Sequence, residues 1–419
     1  MSLPVGFRAL HHADFRRFFW AQLVVQTGMW MQTVAQSWLV LQLTASPFKL
    51  GLIGSLQFAP ILLFSIASGA LADRVRKRRL LIGAQAALCC QALGLAALVA
   101  SGHVEYWHVA VLAFCSGLVN VLDDPARQSL VAEMVGRADV ASAVALNSAS
   151  FNAARIVGPG LGGLLIASFG VVPAFALNGL GSAVAVIILL GLRTQGTPKA
   201  RSGEGVLDDV RTGLRYAFST PEIRLTLGLL FIVSICVFNF TVYVPLLVRT
   251  VLHLGAESFG LLLACLGVGA VTGALTVGAL GARRPSAAVL FGAPALACGT
   301  LVALSTARGF PLAAALLFFT GLFGIVLVAS CNTAMQLAAP DELRGRVMSL
   351  YTLVWPGIFP FGAFIVGAVS EQWGVGRALL VNGTAGLLGV ALLLAWWTLR
   401  EAPARELNPE RPATGRAPE

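Results

Sequence analysis

Arg155, Asp123 and Asp124 are the charged side chains whose surroundings call for an explanation. Arg155 stands at the middle of an otherwise uncharged run, 143–168, and the two aspartates lie toward the end of another, 106–128. A guanidinium in an apolar run cannot shed its proton and therefore needs a counter-charge. Asp123 is the nearest candidate in chain order, with Asp124 the alternative. If the charges pair in one state and part in another, protonating the carboxylate or bringing an anion to Arg155 shifts a conformational balance. If they stay paired, they hold two helices together. A second set is polar and uncharged. Gln22, Gln26, Trp30, Thr33 and Ser37 recur every three or four residues and form one polar and aromatic helix face. With Asn120, Asn239, Asn332 and Trp355 they could line a cavity; the other reading is hydrogen bonding from helix to helix.

Other chemistries lack their residues. His103, Glu105 and His108 cluster in one short connection, but their spacing fits no single helical metal face. The seven cysteines fall inside apolar runs without paired spacing, as packing residues do. None of the three lysines follows a glycine, so no phosphate-cradling loop is available to draw on ATP, and neither a metalloprotease helix motif nor a serine nucleophile elbow occurs. No metal, no cofactor and no enzymatic activity are expected.

The elements that must position these residues follow from composition. Of 419 residues, 57% are hydrophobic and 11% charged, and mean hydropathy is +0.82. A soluble domain carries roughly 25% charged residues, so the solvent of this chain is lipid. The charges separate apolar runs of about 20 residues, the length that crosses a bilayer: 18–43, 50–72, 80–101, 106–128, 143–168 and 172–192, then 225–248, 258–281, 286–306, 311–336, 349–370 and 378–399. The predicted fold is an all-α membrane protein of twelve transmembrane helices. Of 29 Lys and Arg residues, 24 fall in the tails and loops on the amino-terminal side and four opposite, which places both termini in the cytoplasm. That distribution also accounts for the net charge of +10: the basic residues sit in short loops beside anionic headgroups, so no nucleic-acid surface is implied.

Two halves are visible, 1–193 and 225–400, with a tail, 401–419, expected to be disordered. The linker 194–224 carries Val206, Val210, Leu214 and Phe218 at helical spacing, which predicts an amphipathic helix on the cytoplasmic face. The halves repeat. At an offset of about 204, Gly158 falls on Gly362, Gly170 on Gly374, and Asn178-Gly179 on Asn382-Gly383. Such parallel repeats imply two six-helix bundles about an axis along the membrane normal, with a substrate site near the midplane.

Three stretches carry a resemblance. Gly69-Ala-Leu-Ala-Asp73-Arg74-Val-Arg-Lys77-Arg78 after the second segment resembles the loop signature of the major facilitator superfamily, with Arg76 where the pattern has Gly. Gly158-Pro159-Gly160-Leu161-Gly162-Gly163 resembles the signature of its exporter branch, where Gly158 and Gly162 make a packing groove and Pro159 lets the helix bend; packing alone is the competing account. The runs from Asp123 to Gln128, from Ala154 to Pro159 and from Glu342 to Ser349 look like the group that includes enterobactin exporters and macrolide efflux proteins. Ala113 and Ser116 stand where many drug-proton antiporters have Arg and Gln, so the role of that Arg does not carry over. The resemblance implies a monomeric secondary transporter in a bacterial inner membrane. It would export a small amphipathic molecule, a siderophore or a drug, by alternating access in exchange for protons, with Asp73 and the basic residues as a cytoplasmic gate. An importer of an anionic solute and a non-transporting membrane protein are the alternatives.

Overall fold

Backbone polar groups in lipid must be satisfied within their own segment, and this composition does so with helices. The computed structural model describes residues 5–197, 206–279, 281 and 284–401, and among them there is no strand. Its helices are α1 (Ala13–Thr44), α2 (Pro47–Arg74), α3 (Lys77–Ala100), α4 (Tyr106–Phe169), α5 (Val172–Gly191), α6 (Val206–Ser219), α7 (Pro221–Cys236), α8 (Phe240–Thr250), α9 (Ala256–Ala279), α10 (Ala287–Leu304), α11 (Phe310–Ala338), α12 (Asp341–Val354) and α13 (Phe359–Trp396). Among the described residues nine stretches are long and apolar enough to cross a membrane. Two of these hold two crossings each, because α4 is interrupted at Gly136 (φ +69°) and α13 at Gly374 (φ +80°), a conformation open to glycine at little cost. With α1, whose glutamines lower its hydropathy, the crossings match the twelve predicted segments.

Two predicted segments are not continuous. The run 225–248 is divided at 237–239, between α7 and α8. There the Asn239 side-chain amide donates to Ile235 O at 2.8 Å, taking the carbonyl that its own backbone N–H would use in an unbroken helix. The run 349–370 is divided at 355–358, where Pro356 lacks an N–H and Gly357 follows.

Packing forms two units: Met1–Ser202 with Val244–Ala264, and Gly203–Tyr243 with Cys265–Glu419. In the first, Phe15, Phe18, Leu81, Ala126, Leu130 and Leu189 belong to one buried cluster contributed by α1, α3, α4 and α5. In the second, Leu229, Val233, Leu301, Leu317 and Cys331 are fully buried. The sequence repeat is embodied in matching contacts. A Cβ on Gly158 would meet Thr27 O of α1 at 2.9 Å, and one on Gly362 would meet Ile235 O of α7 at 2.6 Å. Gly170 and Gly374 share a positive φ, +77° and +80°.

The linker helix forms as α6, with the side chains of Val206 and Val210 outside the described residues. Ala217 is buried, Gly213 packs on Arg346, and the Tyr216 hydroxyl donates to Ala338 O at 3.2 Å. Leu214 and Phe218 point outward.

Candidate functional site

The stripe occupies one face of α1, because residues three and four apart share a side of a helix, and that face reaches neighbouring helices. Gln22 lines a small cleft with Phe18 of its own helix, Gln85 of α3, Asp123 and Arg127 of α4, and Leu189 of α5. Inside it the buried Asp123 carboxylate accepts from Gln85 Nε2 and from Arg127 Nε, both at 3.1 Å. Arg127 also pairs with the exposed carboxylate of Asp124. The expected Arg155–Asp123 pair is therefore not formed. Arg127 lies one turn along the same helix, at the spacing where side chains meet, and takes both carboxylates. Arg155 is buried at 8% exposure and its Nε has no hydrogen-bond partner.

Further along α1, Gln26 accepts from the Ser150 hydroxyl at 3.2 Å, and the Trp30 ring stands edge-on to Phe151 with centroids 6.0 Å apart. Thr33 turns its hydroxyl back to Met29 O at 2.9 Å, and Ser37 is buried. Sequence reasoning missed a neighbouring row. Gln32 donates to Gln91 of α3 at 3.1 Å and accepts from Asn178 of α5 at 2.7 Å, while Gln36 donates to Gln57 of α2 at 3.1 Å. The signal was available: Gln32 and Gln36 are themselves four apart in a helix already rich in glutamine.

In the second unit Asn239 and Trp355 come to the two helix breaks. Trp355 packs edge-on against Phe238 (4.2 Å) and Phe359 (5.3 Å), and Gly362 abuts Asn239. Asn332 instead accepts from Gln336 at 2.6 Å. Asn120 is half-buried.

Of the loop signature, the surroundings of Gly69 and the side chains of Asp73 and Arg74 lie outside the described residues. Lys77 and Arg78 do not behave as simple headgroup-facing charges. Lys77 is buried, donates to Glu133 Oε1 of α4 at 2.7 Å and also reaches Thr197 O. Arg78 donates to Leu189 O at 2.6 Å and to Leu190 O, the last carbonyls of α5, where a cation is favourable. Glu133 Oε2 accepts from Thr197 N at 3.0 Å, so this pair ties the start of α3 to α4 and to the chain after α5.

The glycine signature divides between two neighbours. Gly158 and Gly162 face α1, where a Cβ would meet Trp30 Cβ at 2.6 Å and Met31 Cα at 3.1 Å respectively. Gly163 faces residues 256–260 at the start of α9, with Ala256 O 2.6 Å and Gly260 Cα 3.0 Å from its would-be Cβ, and Pro159 O abuts Gly260 from the same side.

The Asp123 cluster yields a direct expectation. Arg127→Leu leaves a buried carboxylate without its cation, so folded protein should fall steeply, by about 3–5 kcal/mol for a half-removed buried pair. Asp123→Asn in the same chain should restore most of it, as read by thermal unfolding of the purified protein. An Arg127→Leu chain as stable as the parent would show that the pair is not buried in the membrane.

The chain matches the family described as transmembrane secretion effector over residues 5–417. The multidrug efflux pump Tap of Mycolicibacterium fortuitum is 26% identical over 393 residues, spanning 88% of this chain and 92% of the relative. The enterobactin exporter EntS of Citrobacter koseri is 25% identical over 390 residues, spanning 91% of each. A solved nucleoside transporter, NupG, shares the fold with a TM-score of 0.74 over 91% of this chain and 99% of its own, at 11% identity.

Proposed function

Because this chain belongs to the transmembrane secretion effector family of the major facilitator superfamily, and is thus a membrane transporter and not an enzyme, we propose that it exports a small amphipathic organic molecule across the cytoplasmic membrane of a bacterium. The cargo is of the siderophore or drug kind, the cycle is alternating access, and protons moving inward drive it. The observation that carries the direction is relatedness over nearly full length to an efflux pump and a siderophore exporter. Both termini lie in the cytoplasm, as the 24 basic residues on that side support. Asp123 supports proton coupling: a buried carboxylate held by Arg127 and Gln85 at the edge of a cleft changes its local electrostatics whenever it takes a proton. Asp73 and the basic residues after it form the cytoplasmic gate, and the polar face of α1 with Asn120, Asn239, Asn332 and Trp355 lines the pathway. The protein works as a monomer.

Everted vesicles containing the protein, energised to make the lumen acidic, test this directly. They should accumulate ethidium or a catecholate siderophore several-fold over empty vesicles, and the gain should vanish when nigericin collapses the pH gradient. Accumulation only in right-side-out vesicles would reverse the direction, and flux indifferent to the gradient would remove the proton.

A further inference from the structure

We propose that Arg155 is the anchor of an anion subsite, so that the transported molecule is an organic acid whose carboxylate, phenolate or sulfonate adjoins an aromatic body. This rests on the transport reading above and names its substrate class. Three charged residues are buried among the described residues, Lys77, Asp123 and Arg155. The first two are neutralised, by Glu133 and by Arg127. Arg155 makes no ion pair with a described residue, and its enclosed Nε donates to nothing.

No described carboxylate of its own helix or of α1, α3 and α5 is left to serve, and the Asp73 side chain of α2 lies outside the described residues. On α4, Asp123 and Asp124 are held by Arg127, Glu133 by Lys77, and Asp139 by His12 at 2.9 Å. The single acid on α1, Asp14, accepts from the backbone of Arg193 and Thr194 at 3.0 and 2.9 Å. Neither α3 nor α5 contains an acidic residue. Glu257 lies against Gly163, eight residues and about 12 Å along α4 from Arg155. A permanently charged guanidinium therefore sits at the middle of a membrane segment with every described carboxylate of α1 and α4 already engaged, a setting that marks a functional group. Its depth sets it apart from a lipid headgroup site.

The neighbouring surface says what kind of anion fits. Phe151, Arg155, Gly158 and Gly162 fall at spacings of four, three and four, on one face of α4. That face meets α1, because Gly158 and Gly162 pack on Trp30 and Met31 and the Trp30 ring rests edge-on to Phe151. Arg155 thus shares a seam with two aromatic side chains, and a guanidinium beside rings receives an aromatic acid through paired N–H donors and stacking.

The test uses the full chain in liposomes of neutral phosphatidylcholine, with 2-naphthoate and its uncharged isostere 2-naphthamide as probes. Parent protein should favour the acid by roughly tenfold or more, the ratio that a charge-assisted hydrogen-bond pair supplies. Arg155→Gln should lose that preference while still moving the amide, and Arg155→Lys should keep part of it. If Arg155→Gln does not fold, naphthoate quenching of Trp emission in the parent and in Arg155→Lys decides instead: tighter acid than amide binding, weakened by Lys, is expected. Equal affinity for acid and amide in the parent, or an acid preference that survives Arg155→Gln, overturns the subsite while leaving transport intact. Acid-selective binding without flux of any probe under any gradient overturns the transport reading and leaves the subsite standing.

Discussion

Valine in place of Gly163 is expected to abolish transport. The Cβ alone would sit 2.6 Å from Ala256 O, 3.0 Å from Gly260 Cα and 3.1 Å from Glu257 Cα, against about 3.5–4.0 Å for relaxed carbon contacts. All three neighbours are backbone, so no side chain can swing aside, and the start of α9 must move bodily away from α4. Overpacking of this kind costs about 1–3 kcal/mol even where a core adjusts. The same signature contains its own control, since a Cβ on Gly160 meets nothing within 4 Å. Gly160→Val should transport within about twofold of the parent, a neutral surface change. Gly162→Val, whose new atoms would press on Met31 of α1, should lower the stability of the first unit. Flux in proteoliposomes and thermal unfolding, measured on all three variants, separate these outcomes; a Gly163→Val chain with parental turnover would reduce the contact to incidental packing.

Glu133→Leu should be the most damaging single change at the loop signature. It leaves the Lys77 ammonium, 1% exposed, without its carboxylate, and an orphaned buried charge costs about 3–5 kcal/mol. It also removes the acceptor for Thr197 N, loosening the chain as it leaves α5. Thermal unfolding should therefore shift down by several degrees or more. Combining it with Lys77→Met should recover most of the loss, because two apolar side chains of similar length replace the pair without leaving a charge behind. If the single variant is as stable as the parent, Lys77 reaches water and the tether is not what holds this corner. If the double variant is no better than the single, the Thr197 contact dominates.

The fold was legible because lipid imposes its demand segment by segment. Each crossing needs its own run of apolar residues and its own satisfied backbone, and those requirements are local in the chain. The charges between runs, the repeat that sets Gly158 on Gly362 and Gly170 on Gly374, and the signature glycines could all be read without knowing which helix touches which. Interruptions were less visible, since Asn239 breaks a helix by a side-chain bond to Ile235 O that competes with the ladder, and neither hydropathy nor period registers that competition.

Sequence by itself determined the solvent, the number of crossings and the small residues available for close packing. Only the tertiary structure decided partners. It gave Asp123 to Arg127 instead of Arg155, buried Lys77 against Glu133, and assigned Gly162 to α1 but Gly163 to α9. The physical reason is rotational. One residue turns a helix by about 100°, so adjacent glycines face different neighbours, and the rotation of each helix about its axis is set by packing against the others. The pattern along α1 alone could say that glutamines recur; which of them meet Gln91, Asn178 or Asp123's cleft depended on where α3, α4 and α5 came to lie.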